Sequence, residues 1–151
     1  MSSKFNYSKD FEAKFNAIVD RTKAKMFAVA KNSFQDLIIE ATTPVKNGGR
    51  MRVKTGFLRS SGQAALNEIP VGESEGREPL PGETGVLPEY ANYNPIGSLQ
   101  SVLAHMTEND TVYYGWCANY AKYRELYDGF LASACQNWQT IVDKHIRSIN
   151  K

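Results

Sequence analysis

A helical pattern of 36 residues, Ser8 to Thr43, constrains this 151-residue chain more than any other feature. Phe11, Phe15, Ile18, Val19, Thr22, Met26, Val29, Ala30, Ser33, Leu37 and Ala41 recur at steps of three and four and mark one stripe. Phe27, Phe34 and Ile38 widen it in the second half, so that half is expected to be the more buried. Ser8 is the expected N-cap, and Asp10 and Glu12 put negative charge in the first turn, where the helix dipole favours it. Thr43-Pro44 ends the helix, because the residue before proline is pushed out of the helical region. Unbroken, such a helix spans about 54 Å at 1.5 Å per residue. A compact domain of this length has a radius of gyration of only about 15 Å. Either the helix overhangs its own globule, as subunits of assemblies often do, or it kinks and folds back.

The second organising stretch is Asp110 to Ile149. Thr111, Val112, Tyr113, Tyr114 and Trp116 are β-branched or aromatic and predict a half-buried strand. The chain then turns through Asn119-Tyr120-Ala121 into a short aromatic segment with Tyr123 and Tyr127. From Asp128, the expected cap, Phe130, Ala134, Trp138, Ile141, His145 and Ile149 predict one closing helix over 128–149.

Between these stretches lie less regular segments. Pro44 to Arg52 is a basic turn broken at Asn47-Gly48-Gly49. Thr55 or Gly56 starts a short helix carrying Phe57 and Leu58 inward and Arg59 outward, and Gln63 to Ile69 is a weak strand pattern. Residues 71–97 are rich in proline, glycine and glutamate and read as a long loop. Loops of this length in a compact domain are usually functional or disordered. Leu87, Tyr90, Tyr93 and Ile96 are its candidate anchors for docking onto another surface, against the plainer reading of a mobile surface loop. Ser98 to Met106 is too short for periodicity to decide between helix and strand. The expectation is a single α+β domain over 1–151: helix 8–43, basic turn and short helix 44–70, loop 71–97, sheet and corner 98–127, and helix 128–149.

Little in the chain points to chemistry. The formal net charge of +2 does not by itself imply a nucleic-acid binder. The one basic cluster, Lys46, Arg50, Arg52, Lys54 and Arg59, has no interleaved aromatic platform. It reads either as a solvated turn or as a contact for DNA or an acidic partner. Cys117 and Cys135 are too few for a disulfide scaffold or a zinc site, and reduced, partly buried thiols are expected. His145 sits on the apolar side of its helix, and His105 has no metal-ligating neighbour in sequence. Ser60 and Ser61 lack the GxSxG frame of a nucleophile elbow. Gly72, Gly76, Gly82 and Gly85 lack the order of a phosphate-binding loop. No catalytic, cofactor or metal site is expected. The N-terminus lacks a signal-peptide core, and no run approaches the roughly 18 apolar residues of a membrane span. The expected compartment is therefore a cytoplasm.

Two patches carry a resemblance. "VKTGFLRSS", Val53 to Ser61, resembles the motif Thr-Gly-x-Leu-Arg-x-Ser that follows the first helix of the tail-completion, or neck, proteins of long-tailed bacteriophages and phage-like particles. The stretch from Asp110 resembles the second half of that family: a strand, Tyr-Ala (Tyr120, Ala121), an acidic residue (Glu125), then a closing helix introduced by Gly-Phe. Two departures stand out. The family commonly places Glu-x-Gly just after Tyr-Ala, whereas Glu125 is followed by Leu126-Tyr127-Asp128-Gly129, and the loop 71–97 is longer than the family pattern.

The resemblance implies a small, mostly antiparallel sheet packed on long terminal helices. It implies a structural virion protein, assembled in the host cytoplasm, whose copies form a ring of about six around a DNA channel. Its partners would be the tail terminator ring, the head-side adaptor or connector ring, and DNA in the lumen. Leu58, Arg59, Tyr120, Tyr123 and Tyr127 are the expected subunit-interface residues; Leu87, Tyr90, Tyr93 and Ile96 form the docking loop; Lys46, Arg50, Arg52 and Lys54 face DNA or an acidic partner. The competing readings are a tail terminator or head-closure adaptor ring, a small nucleic-acid-binding module using residues 46–59, and, with no motif behind it, a hydrolase using Cys117 or Ser61.

Overall fold

In the computed structural model, which describes the backbone of residues 2–151 and the side chains of residues 9–151, helix α1 runs without interruption over Ser2–Thr42. At 1.5 Å per residue its 41 residues span about 60 Å. The helix therefore does not fold back into two. The expected cap at Ser8 lies outside the residues with described side chains. Asp10 and Glu12, expected in a first turn, instead stand inside the helix, where Asp10 pairs with Lys14 at 3.1 Å.

The rest of the chain packs on the C-terminal half of α1. Val29, Ser33, Leu37, Ile38 and Ala41 are buried, as the widened stripe predicts. The N-terminal part of the stripe is not: Phe11, Phe15, Ile18 and Met26 are all more than half exposed, with Phe11 at 64% and Met26 at 68%. Periodicity marks a face, but burial needs another element to cover it, and the body ends too soon.

At its C-terminus α1 gives way to a 3-10 turn, Val45–Asn47, and a reversal in which Gly48 takes φ 89°. The short helix α2, Phe57–Ser60, follows and leads into β1, Gly62–Leu66. After the long loop come α3, Gly97–His105, and β2, Val112–Trp116. The two strands form an antiparallel pair with Gly62 opposite Trp116 and Leu66 opposite Val112. The expected α+β fold is what the chain adopts.

The closing segment is three helices rather than one. The aromatic corner is α4, Ala121–Asp128; then come α5, Phe130–Gln136, and α6, Trp138–Ile149. Asp128 is not a cap. It closes α4, and its carboxylate pairs with Arg124 at 2.5 Å and Arg52 at 3.5 Å. The chain reverses at Gly129, whose φ of 60° and ψ of 37° lie in the left-handed region that suits glycine. The amides opening α5 are met from the previous helix: Leu131 and Ala132 both donate to the Glu125 carboxylate at 2.9 Å. The break between α5 and α6 falls at Asn137, whose side-chain amide donates to Glu40 on α1. Trp138, expected on the buried stripe, is left 39% exposed.

Three apolar clusters join these elements. Met51, Phe57, Leu58, Ala118 and Phe130 pack beneath the corner; Leu37, Ala41, Ala134 and Ile141 lock α1 to α5 and α6; Ile38, Leu99 and Leu103 set α3 against α1 and the sheet. Trp116 is shared by the first two clusters and meets Phe130 edge-on, with centroids 5.1 Å apart. Phe34 is shared by the second and third.

Candidate assembly interface

The long loop docks on its own body. Leu87 is 1% exposed and its amide donates to the Thr55 carbonyl at 2.9 Å. Tyr90 packs on Phe57 with centroids 5.7 Å apart. The Tyr93 hydroxyl lies 3.3 Å from the Gly62 carbonyl and 3.3 Å from the Tyr114 hydroxyl, which donates to the Pro95 carbonyl at 2.9 Å. Ile96 packs against the α3 cluster. Leu87, one of the four candidate docking anchors, thus fills an internal site, and Tyr90, Tyr93 and Ile96 are partly engaged within the subunit, because apolar residues in a loop seek the nearest apolar surface.

The loop tip is tied as well. Arg77 bridges Glu83 and Glu89 at 2.6 Å each. The Arg77 guanidinium, helped by the Leu80 amide, holds the Glu83 carboxyl down at about 2, and the same ion pairs push Arg77 up. Gly76 lies so close over Phe57 that an added Cβ would come within 2.7 Å of the ring.

Of the expected subunit-interface residues, Leu58 is 5% exposed and belongs to the intramolecular core. Arg59 does not point freely outward: its Nε donates to the Thr42 carbonyl at 3.0 Å, closing the C-terminus of α1 where a positive charge is favoured. The motif Thr-Gly-x-Leu-Arg therefore contributes inside the subunit, its leucine to the core and its arginine to the helix end. Tyr120 rests partly on Phe57, centroids 6.2 Å apart, and burial pushes its hydroxyl above the ordinary tyrosine range. Tyr123 and Tyr127, by contrast, are 62% and 83% exposed. Leu126, which is not among the expected interface residues, is 75% exposed and shares their face at helical spacing.

The basic residues divide. Arg52, Lys54 and Arg59 line a cleft of about 410 Å³ with Arg77, Arg124 and Tyr120, while Lys46 and Arg50 stay exposed on the turn after α1. Most of the cleft's cations are already matched: Arg52 and Arg124 share Asp128, and Arg77 holds two glutamates. This neutralisation leaves a mixed-charge surface rather than a continuous basic track.

The residues weighed for chemistry have structural partners. Ser61 is buried, donating its hydroxyl to the Leu58 carbonyl at 2.8 Å and accepting from the Ala118 amide at 3.2 Å. His145 Nε2 lies 2.8 Å from Asp36, joining α6 to α1. Burial raises the Asp36 carboxyl, but its bonds to His145 and Lys144 outweigh that and hold it below its ordinary range. His105 Nδ1 lies 2.9 Å from the Ser101 carbonyl. Cys117 is buried and donates its amide to Ser61, whereas Cys135, expected to be partly buried, is exposed. Among the described residues, no group of three or more His, Cys, Asp or Glu could hold a metal ion, and no helix is long and apolar enough to cross a membrane.

No protein-family model, curated protein or solved structure matches this chain.

The apolar surfaces left exposed are the N-terminal half of α1, the Tyr123–Leu126–Tyr127 face of α4, and an apolar groove between α1 and α6 lined by Met26, Val29, Trp138, Val142, Ile146 and Ile149. The N-terminal half of α1 was legible as an apolar stripe; that no described residue covers it was not.

Proposed function

We propose that this chain is a structural subunit of the neck of a long-tailed bacteriophage or phage-like particle, forming a ring that completes the tail end, joins it to the DNA-filled head and leaves a channel for DNA. The observation that carries the reading is the arm of α1. About half of the longest helix contributes no buried side chain to its own fold among the described residues. A monomer gains little from a helix of about 30 Å held in solvent with two phenylalanines exposed. A subunit whose neighbours cover that face gains an interface. The exposed Tyr123, Leu126 and Tyr127 supply a second, different face, as a cyclic assembly requires. The two patches that resemble the tail-completion family give the assembly its biological setting.

The nearest alternative within the same class is a tail terminator or head-closure adaptor ring. A nucleic-acid-binding module built on residues 46–59 fits less well, because Arg52 and Arg59 are engaged within the subunit.

The test is the mass of the purified protein by light scattering over a concentration series, alone and with phage tail tubes. Six copies of 16.9 kDa, about 101 kDa, or saturable attachment to tube ends is the expected result. A chain that stays monomeric, ignores tubes and binds duplex DNA with steep salt dependence would replace this reading with the nucleic-acid one.

A further inference from the structure

One apolar stripe follows α1 from Phe11 to Val29, and the body treats its two halves differently. Met26 and Val29 form one wall of a groove of about 520 Å³, with Trp138, Val142 and Ile146 of α6 opposite. Phe11, Phe15 and Ile18 precede every α1 residue that lines this groove, and all three are more than half exposed. Among the described residues the chain thus carries an exposed apolar ridge and an open apolar groove. They are consecutive on one helix, so the ridge cannot turn back into its own groove.

We infer that the occupant of the groove is the arm of a second copy of this chain, with Phe11, Phe15 and Ile18 of one subunit seated between α1 and α6 of the next. This deepens the ring reading and rests on the chain being an assembly subunit.

Three observations favour a copy of the chain over an unrelated partner. The first is length: Phe11 to Ile18 covers about 11 Å of helix, which fits within the about 18 Å covered by the twelve residues of α6. The second is shape. The Phe11 and Phe15 rings stack with centroids 6.4 Å apart and planes 16° apart, forming a single ridge, and helix ridges of this kind pack into grooves between helices. The third is area. Phe11, Phe15, Ile18, Met26, Trp138 and Ile146 are between 39% and 68% exposed. With aromatic side chains at roughly 200 Å² and the others somewhat smaller, they offer on the order of 650 Å² per subunit. These side chains make up one arm and one groove, so a single arm-in-groove contact buries about 650 Å² from them, and two reciprocal contacts between two copies bury about 1,300 Å². Specific interfaces bury roughly 1,200–2,000 Å². Passed head to tail, the contact closes a ring; exchanged reciprocally, it closes a two-fold dimer.

The experiment uses the full chain with Cys135→Ser, in which the remaining cysteine, Cys117, is buried. Chains carrying Phe15→Cys are mixed with chains carrying Ile146→Cys under mild oxidation. An inter-chain disulfide is expected, and chains with Ala24→Cys in place of Phe15→Cys should not link. In parallel, Phe15→Glu with Ile18→Glu should weaken self-association by roughly tenfold or more, as for the loss of a buried aromatic anchor. The thermal midpoint of the dilute monomer should not fall, since both side chains are more than half exposed and lie outside the three apolar clusters of the body. A ring that forms equally well with the double glutamate variant and gives no cross-link would overturn the arm contact while leaving the ring reading intact. A closed dimer of two 16.9 kDa chains, dissolved by the same variant, would uphold the contact and overturn the head-to-tail ring. A chain that stays monomeric, gives no cross-link and shields its arm only on tail tubes or on lipid vesicles would show that another partner fills this role, and the inference would fail.

Discussion

Replacing Glu125 with alanine should destabilise the isolated subunit by about 2 kcal/mol. The acid stands on α4, but its work is across the Gly129 corner, where both oxygens accept backbone amides at the start of α5. The first amides of a helix have no partner within it, and a lost side-chain cap costs roughly 0.5–2 kcal/mol. Hydrogen bonds to a charged group contribute about 1.5–3 kcal/mol when sheltered. Glu125 is half-buried, with one bond at a part-buried amide and one at an exposed amide, so a value near the top of the capping range follows. Glu125→Gln keeps one acceptor oxygen, loses the charge and should cost about half as much. For a chain of this size, 2 kcal/mol corresponds to a fall in thermal midpoint of about 4–8 °C. Urea unfolding of the monomer, followed by far-UV circular dichroism, measures both variants. An alanine variant within about 0.5 kcal/mol of the parent would refute the reasoning. Should that variant also fail to self-associate, Glu125 would have to be reassigned from the internal corner to the contact between subunits.

Other outcomes follow from the same geometry. Leu87→Ala should cost about 2–4 kcal/mol, the range for emptying a buried leucine site, and should raise amide exchange across residues 77–96; a surface-like loss below about 0.5 kcal/mol would mean the loop is not anchored there. Arg59→Ala should destabilise the monomer by about 1–2 kcal/mol through the freed Thr42 carbonyl, measurable by denaturant titration, whereas an unchanged monomer that no longer assembles would return Arg59 to the interface. Tyr127→Ala should leave monomer stability within about 0.5 kcal/mol, and loss of self-association in light scattering would mark the α4 face as the second contact. The Asp36 carboxyl titrates below its ordinary 3.8 in the folded chain, so its contribution is full above that value and is lost as pH falls through the depressed one. The stability difference between the parent and Asp36→Asn should therefore shrink as the medium is acidified below 3.8, and a difference that stays constant would rule out the Asp36–His145 link as its source.

Local chemistry made several elements legible. Thr43-Pro44 stops a helix because proline excludes the helical region before it, and the helix ends one residue earlier at Thr42. A run of β-branched and aromatic residues from Thr111 reads as a strand, and β2 covers Val112–Trp116. Phe57 and Leu58 point inward from a one-turn helix, as the apolar pair beside Gly56 suggests. Each of these depends on neighbours a few positions away, which a linear pattern contains.

What the pattern could not contain is coverage. Phe11 and Leu37 lie on the same stripe of the same helix, yet one is 64% exposed and the other 8%, because the body made by α3, α5 and α6 happens to dock on the second half. Leu87 and Tyr127 both read as residues for an outside partner; one fills a core site and the other faces solvent, according to which apolar surface lies nearest once the chain has closed. Arg59 became a helix cap and Asp128 a partner for Arg52 through approaches of 17 and 76 positions. Propensity and periodicity decided which elements form. Tertiary packing alone decided which apolar faces were covered, and so which remained free to meet another molecule.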